Sequence, residues 1–174
     1  MKVLSKQFVQ RSLIGAAVAS ASLMALAGTA GAATSSGNVT ANVSVTNAIT
    51  LSGLTPAFTL MGAPGATVTD TSAVAFNVLT NDLAGYNVTV QSNGTALAPT
   101  AVGNTDSIPM AALTVSNGGA NTFASISNVP DIVWAQGTRS ASTGDNHSND
   151  YKMLIPFVNS DTYTTTLNYV ATAQ

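Results

Sequence analysis

Residues 86–91 have the sequence Tyr-Asn-Val-Thr-Val-Gln, in which apolar and polar side chains alternate strictly. Because successive side chains of a β-strand point to opposite faces, this period of two predicts a strand with one buried face. Residues 74–79 (VAFNVL) also place an apolar side chain at every second position, and residues 80–85 between the two segments contain Asn, Asp and Gly. Together the two segments predict a β-hairpin or meander.

Residues 39–46 (VTANVSVT) alternate without a break and predict the first strand of the mature chain, which Ile49 and Leu51 extend. Further short strands are predicted at residues 56–60, 110–115, 123–126, 132–134, 151–157 and 163–171. Eight or nine short strands, spaced by about ten residues and separated by turn residues, are typical of an antiparallel β-sandwich. No repeat of 20 to 50 residues is visible, which argues against a solenoid or propeller.

The composition supports an all-β fold. Glutamate is absent and lysine and arginine total five in 174 residues, so the residues that favour surface helices are scarce. Threonine, valine, serine, asparagine and glycine take their place. Charged residues make up 7% of the chain, against about 25% in ordinary soluble domains. Uncharged hydroxyl and amide groups must therefore make the surface hydrophilic. Such a composition is typical of a surface protein or of a subunit of an assembly.

The N-terminus has the pattern of a secretory signal peptide. Three basic residues within the first eleven precede an uncharged apolar stretch at 13–27, and small residues follow at 28–33. Cleavage is predicted after Ala32, with Ala33 as the second choice. The alternative is an uncleaved helix that anchors the protein, but about 15 apolar residues are fewer than the roughly 20 that span a bilayer. The signal peptide is thus assigned to 1–32 and a single β-sandwich domain to 33–174, with a secreted, extracellular or cell-surface location.

The mature chain is acidic. Its basic residues are Arg139 and Lys152, against seven aspartates, which gives a net charge of −5. This charge argues against a nucleic-acid partner, because binding to nucleic acid is driven by neutralisation of phosphates by cationic side chains. No cysteine is present, so stability has to come from a hydrophobic core or from assembly rather than from disulfides.

Residues 137–150 contain almost no apolar side chain and are predicted to form the longest surface loop. Within them Asp145, Asn146, Ser148 and Asp150 offer the hard oxygen ligands that calcium prefers, and an ordinary Asx-rich turn is the alternative. The single histidine, His147, has no catalytic partner at a spacing that predicts a triad. With cysteine and glutamate absent, no catalytic site is predicted, and calcium is the one cofactor that the residues suggest.

Trp134 is the only tryptophan and follows an apolar run. An exposed tryptophan would stack on a sugar ring, whereas a tryptophan at the end of an apolar strand more often belongs to the core. Both interpretations of Trp134 remain open from the sequence.

Three segments carry a family resemblance: residues 38–44 directly after the signal, residues 85–90, and the closing run at 163–169. They resemble bacterial secreted β-sandwich surface proteins, among them WxL-type wall-binding proteins, spore-coat-U-like proteins and fibre-forming matrix subunits. WxL-type proteins carry paired Trp-x-Leu motifs, whereas Trp134 is followed by Ala135 and Gln136. The resemblance implies a non-catalytic role at the cell surface, as a subunit of an assembly.

The sequence therefore favours a structural protein that associates with copies of itself or with the envelope by strand addition, with no membrane span after cleavage. The predicted donor is residues 33–46, which are terminal, uncharged and alternating. The alternative for this segment is an ordinary first strand within its own chain. The alternative function is a carbohydrate- or surface-binding module that uses Trp134 and residues 137–150.

Overall fold

The computed structural model describes residues 32–120 and 122–174, so the predicted signal peptide at 1–32 lies outside the described residues except for Ala32. The described chain is almost entirely β-structure, with one 3-10 turn, Met110–Ala112, directly before the sixth strand. The strands are β1 (Ile49–Ser52), β2 (Thr67–Thr80), β3 (Tyr86–Ser92), β4 (Ala96–Pro99), β5 (Ile108–Pro109), β6 (Leu113–Asn117), β7 (Ala124–Ser125), β8 (Asp131–Gln136), β9 (Asp145–Leu154), β10 (Tyr163–Thr164) and β11 (Leu167–Ala173).

These strands form three antiparallel sheets. The largest has the order β1-β2-β9-β6-β7, the second has the order β11-β3-β8, and a small third sheet has the order β10-β4-β5. One apolar core joins them, and its largest fully buried side chains include Tyr86 of β3 and Tyr151 of β9. The predicted all-β, antiparallel fold is confirmed. Among the described residues no helix has the length and apolar character needed to cross a bilayer.

The chain divides into two compact units, Met1–Asn42 and Val43–Gln174. In the first unit the described residues, 32–42, form no strand or helix, and their side chains are exposed. The second unit contains every strand found in the described residues.

Strand β3 confirms the prediction made from its alternating sequence. Tyr86, Val88 and Val90 are completely buried, and the residues between them are half-buried. Strand β3 lies between β11 and β8, so its main chain is paired on both sides.

The predicted hairpin between residues 74–79 and 86–91 is wrong, because β2 and β3 belong to different sheets. The chain turns at Asp82, whose carboxylate accepts a hydrogen bond from the N–H of Ala84 (2.9 Å). It then passes through Gly85 in the left-handed region, with φ at 95°. A Cβ on Gly85 would lie 1.9 Å from the carbonyl oxygen of Gln136, so only glycine allows β3 to begin this close to β8.

The predicted strand at residues 39–46 is also absent, and the first strand begins at Ile49. The side chain of Asn81 replaces strand pairing at this point: its Nδ2 donates to the carbonyl of Thr46 (2.9 Å), and its Oδ1 accepts from the N–H of Ala48 (2.8 Å). Residues 56–60 likewise form no strand, although Phe58 packs against the core.

The predicted loop at 137–150 is wrong from Asp145 onward, where β9 begins between β2 and β6. The physical reason is that this strand is built from polar side chains that find polar partners on both of its faces. Because the apolar alternation that identifies most strands is absent here, the sequence pattern resembled a loop.

Candidate functional site

An open cleft of about 310 Å³ lies where β9 continues beyond the end of β6. Strand β6 ends at Asn117 and the chain turns away at Gly118, whose N–H donates to the carbonyl of Ser148 (2.7 Å). The cleft is lined by Gly118, Trp134, Asn146, His147 and Ser148. It therefore brings together Trp134 and three residues of the segment that the sequence associated with binding.

The two rings in the cleft stack on each other. The ring of Trp134, from β8, lies 3.9 Å from the ring of His147, from β9, with an angle of 34° between the planes. Trp134 is half-buried and packs against the core, and its Nε1 is buried without a hydrogen-bond partner among the described residues. One face of the tryptophan is thus occupied by the histidine of the opposite sheet.

Behind the cleft a series of hydrogen bonds links the five-stranded sheet to the β11-β3-β8 sheet. Tyr86 Oη donates to Asp145 Oδ2 (3.0 Å), which also accepts from Gln136 Nε2 (3.0 Å). The other oxygen of Asp145 accepts from the N–H of Ala141 (3.1 Å). Since the only hydroxyl proton of Tyr86 is engaged in the hydrogen bond to Asp145, His147 Nε2, 2.6 Å from Oη, has to be the donor to that oxygen.

Burial shifts the pKa values of the tyrosine and the histidine in this hydrogen-bond network. It raises the pKa of Tyr86 well above the ordinary value, and the hydrogen bond and negative charge of Asp145 raise it further. Burial also lowers the pKa of His147, and the charge of Asp145 offsets part of that change. The phenol of Tyr86 and the imidazole of His147 are therefore both neutral at neutral pH.

The same polar row continues into the core along β9. Asn149 is completely buried, and its Nδ2 donates to the carbonyl of Ser116 (3.1 Å). Its Oδ1 accepts from the hydroxyl of Tyr169 (3.1 Å), which lies 2.5 Å from the hydroxyl of Tyr151. Burial raises the pKa of Tyr151 to about 12. Asn149 thus ties β9 to β6 in its own sheet and to β11 in the opposite sheet.

The four predicted calcium ligands do not converge. Strand alternation places Asp145 on the opposite face of β9 from Asn146, Ser148 and Asp150. The Asp150 carboxylate accepts from the N–H groups of Ser72 (2.7 Å) and Gly119 (3.1 Å).

The remaining two candidates have neighbours of their own. Asn146 Oδ1 accepts from Asn77 Nδ2 (2.9 Å), and Ser148 Oγ lies 3.2 Å from Ser72 Oγ. The described part of the chain contains no group of three or more acidic or histidine side chains suited to a metal ion.

A carboxylate that the sequence analysis did not single out joins two loops. Asp161 accepts from Asn104 Nδ2 (2.8 Å), from the N–H of Ala101 (3.0 Å) and from the N–H of Thr162 (2.7 Å). These hydrogen bonds, the one from Asn104 foremost, lower the pKa of Asp161 to about 2. The sequence pattern that could have indicated this contact is the Asn-x-Asp triplet, which occurs at residues 104–106 and 159–161.

Two further features bear on association. Strand β11 pairs with β3 on one side only and forms an open edge of its sheet. Residues 32–48 form no strand or helix, and the side chains of Val39, Val43 and Val45 are 95%, 88% and 78% exposed. Exposed valine or alanine at every second position from 39 to 45 is typical of a strand that lacks its sheet.

No family model matches the chain, and no curated protein is similar to it. The resemblance to bacterial secreted β-sandwich surface proteins stays a prediction.

Proposed function

We propose that this protein is an exported, non-catalytic structural subunit of the cell surface that assembles by strand addition, with residues 33–46 as the donor segment. One observation carries the proposal: the donor segment, which alternates strictly at residues 39–46, forms no strand in its own chain and leaves its valines exposed. When the segment pairs with a sheet edge, its main chain gains hydrogen-bond partners and its apolar face is buried.

The energetics favour pairing. Complete burial of a valine side chain contributes about 1.5–3 kcal/mol, so the three exposed valines supply several kcal/mol toward association. Residues 39–45 of the donor segment carry no charged side chain, so no charge has to be removed from water when they pair. Cleavage of the predicted signal after Ala32 would make the donor segment terminal and free to reach a neighbour.

The test compares the mature protein, residues 33–174, with a variant that lacks 33–46. We expect mature protein to form concentration-dependent oligomers in light scattering and extended particles in electron microscopy. The truncated variant should remain monomeric and folded, because every strand of the described residues lies outside the deleted segment, although the hydrogen bond from Asn81 to the carbonyl of Thr46 is lost.

Matched variants within the donor segment test the contribution of each of its two faces to assembly. Serine at Val39, Val43 and Val45 should abolish assembly, whereas serine at Thr40 and Asn42 on the other face should preserve it. Mature protein that stays monomeric at high concentration, or truncated protein that assembles as well as the intact chain, would refute the proposal.

A carbohydrate-binding module is the second candidate, and the shared cleft of Trp134, Asn146 and Ser148 is the observation that favours it. A glycan array probed with the folded protein tests it. Binding that is retained in Trp134→Phe and lost in Trp134→Ala would support a stacking role for the ring. An array without binding to any glycan would remove this candidate.

A further inference from the structure

We infer that the acceptor for the donor segment is the free edge of β11 on a second copy of the chain; this inference rests on the proposed strand addition.

Hydrogen bonds at the two ends of β11 show which of its main-chain groups are free. The N–H of Gln174 donates to the carbonyl of Gly85 (3.1 Å), and the N–H of Asn93 donates to the carbonyl of Thr166 (3.0 Å). Because bonded pairs alternate in an antiparallel ladder, the even-numbered residues of β11 face β3. The N–H and C=O groups of the odd-numbered residues therefore point away from the sheet, without partners among the described residues. These residues are Leu167, Tyr169, Ala171 and Ala173.

Strand β11 is the most suitable of the sheet edges. Its seven residues pair with β3 without a bulge and contain no charge, proline or glycine. Strand β8, at the other edge of the same sheet, carries Asp131 and has an irregularity opposite Val88 and Thr89. In the large sheet, the edge strands β1 and β7 have only four and two residues. Long, regular, uncharged edges are the ones that natural proteins normally protect from pairing.

The faces of donor and acceptor match. On β11 the odd-numbered side chains pack against the core, with Leu167 and Tyr169 as the largest, while Asn168 and Thr172 lie on the other face. A donor strand at residues 39–45 offers valine or alanine at every odd-numbered position and Thr, Asn or Ser between them. Both strands span seven residues. Pairing with the valines on the core side extends the apolar face, whereas a shift of one residue would place them in solvent.

The exit point of the donor disfavours pairing within one chain. Asn81 holds residues 46–48 beside the turn that leads into β3, and the C-terminal end of β11 bonds to that same turn at Gly85. Three residues cannot return along β11, which is roughly 20 Å long. Within one chain the donor could thus run only parallel to β11. A donor from a second copy is free to pair antiparallel, which is the more stable arrangement.

Such an interface joins two different surfaces of the molecule, a donor on one copy and an edge on the next. Heterologous contacts of this kind propagate into open chains unless their rotation closes a ring.

Disulfide trapping tests the contact directly, and the absence of native cysteines makes it clean. Asn42 is central in the donor and Val170 is central in the acceptor, so a register that pairs the two centres places them opposite each other in either orientation. Mature Asn42→Cys and isotopically labelled Val170→Cys should form a mixed disulfide when combined under mild oxidation, because neighbouring strands place Cα atoms at bridging distance. Ile132→Cys, on the edge strand β8, is the control for Val170→Cys.

Proline substitution at the edge is the second test. Ala171→Pro removes an N–H that points away from β3, so the ladder of β11 is retained while addition of a strand is blocked. We expect it to weaken association by roughly a hundredfold with the fold intact. Thr172→Pro removes an N–H that bonds to β3 and should lower the melting temperature instead.

The outcomes separate the two proposals. If the mature protein does not assemble at all, strand addition itself fails. If it assembles but Asn42→Cys bridges to Ile132→Cys rather than to Val170→Cys, or if Ala171→Pro assembles normally, then the β11 edge is wrong while strand addition stands. An internal disulfide in a dilute Asn42→Cys/Val170→Cys double variant would overturn pairing between copies.

Discussion

Residues 39–46 and residues 145–150 behave in opposite ways. The first segment has the most regular apolar alternation of the chain and forms no strand, whereas the second is almost entirely polar and begins a strand in the middle of the largest sheet. The difference is in the neighbours. Strand β9 has main-chain partners on both sides and polar partners on both faces, and residues 39–46 lack a sheet to join. Alternation thus indicates that a segment can form a strand, but the strand forms only where neighbouring strands are available to pair with it.

The largest effect is expected at the centre of β9. Asn149→Ala leaves the carbonyl of Ser116 without its donor and removes the acceptor of Tyr169, inside a fully buried site. We expect a loss of about 2–4 kcal/mol in the free energy of unfolding, measured by urea denaturation. Asn42→Ala, in the exposed segment, is the control and should change stability by less than about 0.5 kcal/mol. Equal effects at the two positions would remove the contrast between the segments.

A smaller effect is expected at the start of β9. Asp145→Asn replaces an acceptor of three hydrogen bonds by an amide whose N–H₂ faces other donors. The expected destabilisation is about 2 kcal/mol by the same measurement. Asp70→Asn in β2 is the control, because no side-chain hydrogen bond of Asp70 is found in the described structure. An unchanged free energy of unfolding in Asp145→Asn would show that the carboxylate does not hold the two sheets together.

The histidine of β9 makes stability depend on pH. Its pKa in the folded protein lies below the ordinary value of 6.5, so the unfolded chain binds a proton first as the pH falls. Stability is therefore complete above about pH 6.5 and decreases as the pH falls toward the folded pKa. Denaturation curves at several pH values should show this loss, and His147→Gln should remove it. Because Asp145 holds the pKa of His147 up, Asp145→Asn should lower that pKa further in an NMR titration.

The smallest effect is expected in the donor segment. Val43→Ser combined with Val45→Ser should change the free energy of unfolding of dilute monomer by less than about 0.5 kcal/mol, because both side chains are exposed. Val88→Thr buries a hydroxyl in the core and should cost about 1–3 kcal/mol, which makes it the matched control. A large destabilisation from the paired valine change would mean that the segment pairs within its own chain.

Local pattern was sufficient where a strand is buried on one face and apolar. The alternation at residues 86–91 predicted β3, and the Val74, Phe76 and Val78 series predicted the buried face of β2. It was insufficient for β9, because an inward-facing aspartate, histidine and asparagine are recognisable only with Tyr86, Gln136 and Tyr169 in place around them. The cleft was half predictable: Trp134 and the polar segment were named, but their juxtaposition arises from two different sheets.

The amino-acid sequence by itself determined that this protein is all-β and antiparallel, because side-chain alternation and the scarcity of helix-forming residues act locally. Only the tertiary structure decided which strands pair, why β2 and β3 separate at Gly85, and which edge stays open. The physical reason is that strand pairing joins residues far apart in the chain, so each strand's fate depends on neighbours that its own sequence does not contain.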